Sequence, residues 1–303
     1  MSPSSAVAAA PAEPGDAAAG WTWNVAGPPP SVFAHLAPHV VARDLWARRA
    51  LILQFTRREI EGRYRGSILG LLWTFAQPLT LLATYTLVFG GVFQARWPEA
   101  RGEGLTDFAL ALFCGLVAYN LMNECVTRAP GLIVAVPNYV RKVVFPLEVL
   151  PVSVLGSALF HGGASLAVLL AAVVVTGGGL HWTLALVPVV ALPLVFFSLG
   201  AAWFLAGLGV YLRDVSYLIG LLMQVLLFAT PIFYPPSALP AGVRALLRLN
   251  PLVDVVENLR RAVLWGRPPE WGALGLWLLA SGAVLLLGHA WFMQTKRGFP
   301  DVL

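Results

Sequence analysis

The sequence predicts an all-α membrane protein: six transmembrane helices, an amphipathic interface helix ahead of them, and two short re-entrant helices between spans five and six. Three observations carry this. Of the 303 residues 58% are hydrophobic and 12% charged, against ~25% charged in soluble domains, and mean hydropathy is +0.75. The apolar runs are continuous over the ~20 residues that a helical crossing needs, not the alternating segments of about ten residues that build a membrane barrel. Charge also stops abruptly within residues 63–73, RYRGSILGLLW: residues 43–65 hold seven Arg and three acids, and residues 67–95 hold no Asp, Glu, Lys, Arg or His.

Residues 1–39 form an Ala/Pro-rich tail. It has neither the basic n-region nor the long apolar h-region of a cleavable signal, and its composition is that of a disordered segment. Residues 40–66 follow as the interface helix. Arg43, Gln54, Arg58, Glu61 and Arg65 share one face, and Leu45, Ile52, Leu53, Phe55 and Ile60 lie broadly opposite, the pattern of a helix lying along a membrane surface. Glu59–Arg63 and Glu61–Arg65 are spaced i,i+4 with the acid first, the favoured order for pairing.

The first span, 67–95, is long enough to tilt, and Pro78 is placed to kink it. The second span is 108–128. A Pro-bounded break around NYVRK (138–142) then reads as a loop with one or two helical turns. Residues 149–212 contain no Asp, Glu, Lys or Arg over 64 positions, enough for two spans, 149–176 and 182–212, with Thr176–Gly177–Gly178–Gly179 as the turn. Arg213 and Asp214 mark the next boundary, and spans 215–234 and 271–293 complete the six, so that residues 67–303 form the transmembrane domain. Both termini then lie on one side. Thirteen Lys and Arg fall on that side and seven on the other, which places both termini in the cytoplasm.

Five of the seven external cations, Arg244, Arg248, Arg260, Arg261 and Arg267, sit in segment 235–270. There Asn250 caps a helix with Pro251 at its first position. Leu252, Val255, Val256, Leu259 and Val263 recur at helical spacing, with Asp254, Glu257, Asn258 and Arg261 opposite. Residues 241–249 offer a second short helix. Neither could span, so both are expected to dip in from the outer face. Their arginines are expected to hold the helices at the outer headgroup layer.

Little else carries chemistry. The phosphate-cradling pattern G-x-x-x-x-G-K-[ST] is absent, since Lys142 follows Arg and Lys296 follows Thr; ATP-driven work needs a separate chain. Cys114 and Cys125 are separated by roughly 16 Å along one helix at 1.5 Å per residue, too far for a disulfide. His161, His181 and His289 have no partner at ligand spacing, so no metal site and no catalytic residue is assigned. Glu124 is a carboxylate at possible membrane depth, a functional candidate by default, and pairing with Arg128 serves it equally. Aromatic residues including Trp73, Tyr85, Phe89, Tyr217 and Tyr234 could stack sugars along a pore or simply anchor the interface. The basic excess suits membrane topology and lipid headgroups, and no soluble basic face for nucleic acid is visible.

Four stretches together resemble a known family: RYRGSILGLLWTFAQPLTLLATYTLVFG (63–90), NYVRKVVFPLEVLP (138–151), VYLRDVSYL (210–218) and TPIFYPPSALPAGVRALLRLNPLVDVVENLRRAVLWG (230–266). They are similar to the membrane subunit of ABC-type polysaccharide exporters, the type-2 permeases for O-antigen, capsule and teichoic acid, from about residue 43 to the C-terminus. The Ala/Pro tail is longer than that pattern requires. The resemblance implies a homodimer in the bacterial inner membrane with two cytoplasmic ATPase subunits, which bind the ATP and Mg; this chain itself carries no cofactor. It implies a path along the dimer interface and a glycan carried on undecaprenyl pyrophosphate as cargo. It assigns ATPase contact to Arg57, Arg58 and Glu61 on the interface helix and to Asn138, Tyr139, Arg141 and Lys142 in the loop, and places the external helices at 241–249 and 251–264. Arg58, Arg63 and Arg65, at the mouth of span one, are then candidates for the pyrophosphate headgroup, because guanidinium binds phosphate oxygens bidentately. An ABC permease for a drug or small lipid is the alternative. A membrane enzyme would need convergent acids or histidines, and Glu124, His161 and His289 are scattered in sequence.

Overall fold

A computed structural model describes residues 36–92, 105–141, 145–236 and 250–303, with positions 240, 242 and 247 between the last two segments. The described residues are helical, turn or irregular. The N-terminal helix expected over 40–66 is two helices, α1 (Pro38–Ala47) and α2 (Arg49–Tyr64). Arg48 leaves helical geometry between them, with ψ of 11°. Its guanidinium turns to Glu148 on another element, a contact that a straight helix would not make. Most of the Ala/Pro tail, residues 1–35, lies outside the described residues.

Among the described residues, five helices are long and apolar enough to cross a membrane: Gly70–Phe89, Thr106–Gly131, Val149–Val175, Trp182–Tyr211 and Trp271–Val302. The first begins later than expected, with a 3-10 turn Gly70–Leu72, continues as α3 (Trp73–Tyr85) and ends in a π-helical stretch Thr86–Val92. Gly66 has φ of +82° and Gly70 of +49°. These left-handed positions favour glycine, and together they turn the chain out of α2 before the span starts. α4 (Leu105–Arg128) follows, then the short α5 (Pro137–Arg141), α6 (Val149–Val175), α7 (Val187–Tyr211) and α10 (Trp271–Thr295). The expected fifth span, 215–234, is shorter. Its helix, α8 (Val215–Ala229), has 15 residues, about 22 Å at 1.5 Å per residue against ~30 Å of hydrocarbon. Thr230 and Pro231 leave helical geometry beyond it.

α4 is the centre of the bundle: most of its residues are buried, whereas most of the first span is not. α6 packs on α4, and α10 runs along α7. The α7–α10 approach depends on glycine, because a Cβ on Gly288 would meet the Gly200 carbonyl oxygen at 2.1 Å. Small residues let helix backbones come close where lipid supplies no hydrophobic drive between helices.

Bonds between helix ends show which ends share a side. Arg128 pairs with Glu59, Arg48 and Lys296 pair with Glu148, and the Tyr211 hydroxyl donates to the Thr295 carbonyl at 3.0 Å. So α1, α2, the end of α4, the start of α6 and the ends of α7 and α10 lie together. At the other end sits α9 (Pro251–Val263), whose cap forms as expected: the Leu252 N–H donates to Asn250 Oδ1 at 3.0 Å. Its apolar residues Leu252, Val255, Val256, Leu259 and Val263 are buried. The chain ends in a 3-10 turn, Lys296–Gly298, and α11 (Phe299–Val302).

Two expectations for α9 are corrected. Asn258 does not sit on a polar face; it is buried and accepts from the Glu270 N–H at 2.7 Å. Arg260 does not face a headgroup layer, since it is 0% exposed. Its guanidinium donates to the carbonyls of Ala111 and Pro231, both at 2.9 Å, and of Ile232 at 3.3 Å. Three carbonyls turned toward one point have no neutral residue that could satisfy them all, which is what holds an arginine there. Arg261 is partly exposed and donates to Glu270 at 2.8 Å. Arg244 and Arg248 lie outside the described residues.

Candidate functional site

A cavity of about 1050 Å³ opens between α2, α3, α4 and α6. The sequence builds one wall of it directly. On α4 the lining residues Phe113, Val117, Asn120, Glu124 and Arg128 fall at steps of four, three, four and four, which keeps them on one helix face. Along that face the chemistry grades over about 22 Å, from an aromatic ring through an amide to a carboxylate and a guanidinium. Pro78 and Leu81 of α3 line the apolar part. Arg58, Arg63 and Arg65 of α2 and its C-terminal end close the charged part. A site with an apolar body and a cationic mouth is shaped for an amphiphile with an anionic head.

The charged mouth is a network. Arg63 Nη1 lies 3.1 Å from Glu124 Oε1 and 3.1 Å from His161 Nδ1. His161 Nδ1 lies 3.1 Å from Glu124 Oε2. One ring nitrogen cannot both accept from Arg63 and donate to Glu124. Donation to the carboxylate is the pairing assigned here, with Arg63 on the same carboxylate. Arg128 Nη1 is 3.6 Å from Glu124 as well, and its other nitrogen donates to Glu59. So Glu124 and His161, scattered in sequence, are in contact, a pairing that sequence spacing did not indicate. The expected pairs Glu59–Arg63 and Glu61–Arg65 are also replaced: Glu59 turns to Arg128, Arg63 to Glu124, and Glu61 accepts from Arg57 at 2.6 Å. For Glu59 and Arg63, a partly buried partner on a neighbouring helix competes well with an exposed one on the same helix, because solvent screens the latter.

α2 is seated against α6 by a close approach. A Cβ on Gly156 would meet Thr56 Oγ1 at 2.6 Å, so only glycine lets the two helices touch there. On the other side of α2, Arg58 Nη1 reaches the Tyr139 hydroxyl at 3.4 Å. Phe55 contacts both Tyr139 and Phe145, whose rings stack at 4.8 Å. Two of the residues expected to meet an ATPase, Arg58 and Tyr139, are therefore joined in one surface, with Arg57, Glu61 and Asn138 exposed nearby on the same elements. The Arg141 side chain and Lys142 lie outside the described residues.

Below this surface lies a carboxylate that the sequence did not single out. Glu148, 1% exposed, pairs with Arg48 between α1 and α2 and accepts from Lys296 Nζ at 2.7 Å. Its carbonyl accepts from Trp203 Nε1 of α7 at 3.0 Å. Burial alone would raise its pKa, but the hydrogen bond and charge of Lys296, with the charge of Arg48, outweigh that and hold it below the usual 4.5. The aromatic candidates divide. Tyr85 and Phe89 gather with Phe108 and Phe233 at centroid distances of 5.8–6.4 Å. Tyr234 lies beyond α8 and donates to the Phe228 carbonyl. Trp73 donates to Ser67 at the start of span one, and Tyr217 is exposed on α8.

With this geometry in view, the comparison with known proteins decides the family. A family model described as ABC-2 type transporter matches residues 50–264. The chain belongs to the ABC-2 transporter membrane family. Members are permease subunits, not enzymes, and work with an ATPase subunit. This ABC-2 permease is 32% identical over 252 residues to the O-antigen export system permease protein RfbA of Myxococcus xanthus, covering 82% of this chain and 93% of that one. It is 24% identical over 255 residues to the protein of the same name from Klebsiella pneumoniae, covering 84% and 95%. It is 24% identical over 254 residues to the polysialic acid transport protein KpsM of Escherichia coli, covering 79% and 91%. The matched region takes in both the cavity and α9.

Proposed function

We propose that this permease moves a lipid-linked polysaccharide, an O-antigen-like glycan on undecaprenyl pyrophosphate, from the cytoplasmic to the external side of a bacterial inner membrane. The observation that carries the reading is the graded cavity: an apolar body for the lipid and an arginine-lined mouth for its pyrophosphate, in a chain similar to O-antigen permeases over most of its length. Arg58, Arg63 and Arg65 receive the headgroup.

α8 is the fifth of six crossings in this reading, completed by the irregular residues that follow it, and both termini are cytoplasmic. Residues 250–270, which include α9, dip in from the outer side, with Arg261 toward the exit. Two copies form the channel. The exposed apolar rows of the first span and of α8, Leu71, Leu72 and Phe75 with Leu218, Leu221 and Leu222, support a partner there. Tyr85 and Phe89 offer stacking faces for sugars. Two ATPase subunits dock on Arg57, Arg58 and Glu61 together with Asn138, Tyr139, Arg141 and Lys142.

The test is complementation. Cells lacking the gene are given wild type or the Arg63→Ala/Arg65→Ala double variant, and surface polymer is quantified with membrane levels of the permease. Loss of surface polymer with normal protein level supports the headgroup role; full export by the double variant refutes it.

A further inference from the structure

We infer that Glu59 and Glu124 compete with the cargo for the cavity's arginines, so that a lipid pyrophosphate enters by exchanging with these two carboxylates and thereby opens the ion-pair clasp between α2 and α4. The inference rests on the headgroup reading above and concerns how that site is regulated.

The two cations nearest the cavity's polar turn are already engaged. Arg63 is held by Glu124 at 3.1 Å, and Arg128 is held by Glu59 and, at 3.6 Å, by Glu124. A pyrophosphate that takes the end-on Nη1–Nη2 edge of either guanidinium competes with the carboxylate already held on Nη1. The ligand's charge matches that of the two carboxylates. Two carboxylates carry −2, and a pyrophosphate esterified at both ends carries about −2 near neutral pH, so the ligand matches the counter-charge it displaces from the arginines, while the displaced carboxylates stay tethered in the cavity and their repulsion opposes its entry.

Two further groups point at a ligand. Thr74 Oγ1 lines the cavity and has no hydrogen-bond partner although Thr74 is 4% exposed. His161 Nε2, on the ring whose other nitrogen faces Glu124, is likewise buried without a partner. Buried polar groups in folded proteins are normally satisfied: the Thr74 hydroxyl can donate to a ligand oxygen, and His161 Nε2, on another wall and an acceptor while Nδ1 donates to Glu124, can accept from a ligand hydroxyl. The body beyond them is apolar, with Pro78, Leu81, Phe113 and Val117. A free phosphate would gain nothing from that wall, and an acyl or isoprenoid chain would.

The consequence is mechanical. Glu59 lies on α2 and Arg128 on α4, and their pair is one of the bonds tying the helix that bears the ATPase-facing surface to the central span. When phosphate takes Arg128, that tie is released, while the Thr56–Gly156 contact still seats α2 on α6. Headgroup arrival is thus reported to α2.

The experiment measures binding to the full-length permease in its complex with the ATPase, in nanodiscs, with farnesyl pyrophosphate and inorganic pyrophosphate as probes. Wild type is expected to bind farnesyl pyrophosphate at least about tenfold more tightly than inorganic pyrophosphate. Glu124→Gln, and separately Glu59→Gln on the more exposed helix, are expected to tighten farnesyl pyrophosphate binding several-fold, and Arg63→Ala to weaken it about tenfold. Equal affinity in wild type and both Gln variants, or weaker binding in both, overturns the exchange and leaves the headgroup site standing. Inorganic pyrophosphate binding as tightly as the farnesyl compound overturns the lipid as occupant. No binding of either probe by wild type or variants overturns the headgroup site itself, and with it this inference.

Discussion

Replacing Glu148 with Gln should loosen the end of the bundle where α1, α2 and the start of α6 meet, as predicted from its burial and partners. The carboxylate is 1% exposed and joins three elements: Arg48 at the α1–α2 break, Lys296 beyond α10, and its own position at the start of α6. Removing one partner of a buried ion pair costs ~3–5 kcal/mol when the remaining charge stays buried. Here the Arg48 and Lys296 side chains are 36% and 28% exposed, so both can turn to water, and Gln keeps an acceptor for Lys296. The expected loss is therefore smaller, about 1–3 kcal/mol. It is read from unfolding of the purified permease in mixed micelles at pH 7.5, followed by circular dichroism. The pH dependence has a definite sign. Because the folded-state pKa of Glu148 is depressed below 4.5, its contribution is complete above that value and is lost as pH falls through the lower, folded value. The wild type should thus lose its advantage over Glu148→Gln on acidification below about pH 4.5, and the two curves should converge. Equal stability at pH 7.5, or a gap that widens in acid, would refute the reasoning.

Other outcomes follow from the same geometry. Arg260→Met leaves three carbonyls without their donor and should cost about 3 kcal/mol or more, seen as a lowered unfolding midpoint, whereas Arg261→Met, on the partly exposed neighbour, should cost under about 1 kcal/mol. Gly288→Val forces α10 off the Gly200 carbonyl and should fall at or beyond the upper end of the ~1–3 kcal/mol cost of overpacking, with reduced membrane levels as the readout. Tyr139→Ala removes the stack on Phe145 and the contact with Arg58, and should reduce ATPase co-purification several-fold while leaving the unfolding midpoint of the isolated permease nearly unchanged. A normal yield of complex would count against that docking surface.

The five long apolar helices were legible because lipid imposes a simple rule on composition. The run 149–212 carries no acid, Lys or Arg, and it resolves into α6 and α7 with boundaries within a few residues of those expected. The cap of α9 was legible for a local reason: Asn250 followed by Pro251 satisfies a helix start without help from elsewhere. The network at the cavity mouth was not legible. His161 and Arg63 are 98 residues apart and His161 and Glu124 are 37 apart, and hydropathy sets where a helix lies without setting its rotation about its axis. One signal was present and could have been used: the stripe Phe113, Val117, Asn120, Glu124, Arg128 grades steadily from apolar to charged along one face. Arg260 and Arg261 could not have been separated by residue type, since only the 100° between adjacent positions sends one inward and the other outward. Glu148 was hidden because its partners come from opposite ends of the chain.

The central claim is that this permease carries a lipid-linked glycan, with energy from a partner ATPase. The measurement that addresses it most directly is ATP hydrolysis by the co-purified complex in nanodiscs, with and without a polyprenyl-pyrophosphate-linked glycan. The account predicts stimulation by the lipid-linked glycan, none by the free glycan, and loss of the stimulation in the Arg63→Ala/Arg65→Ala complex at unchanged basal rate. Stimulation by a small lipid or drug with no response to the glycan would contradict it.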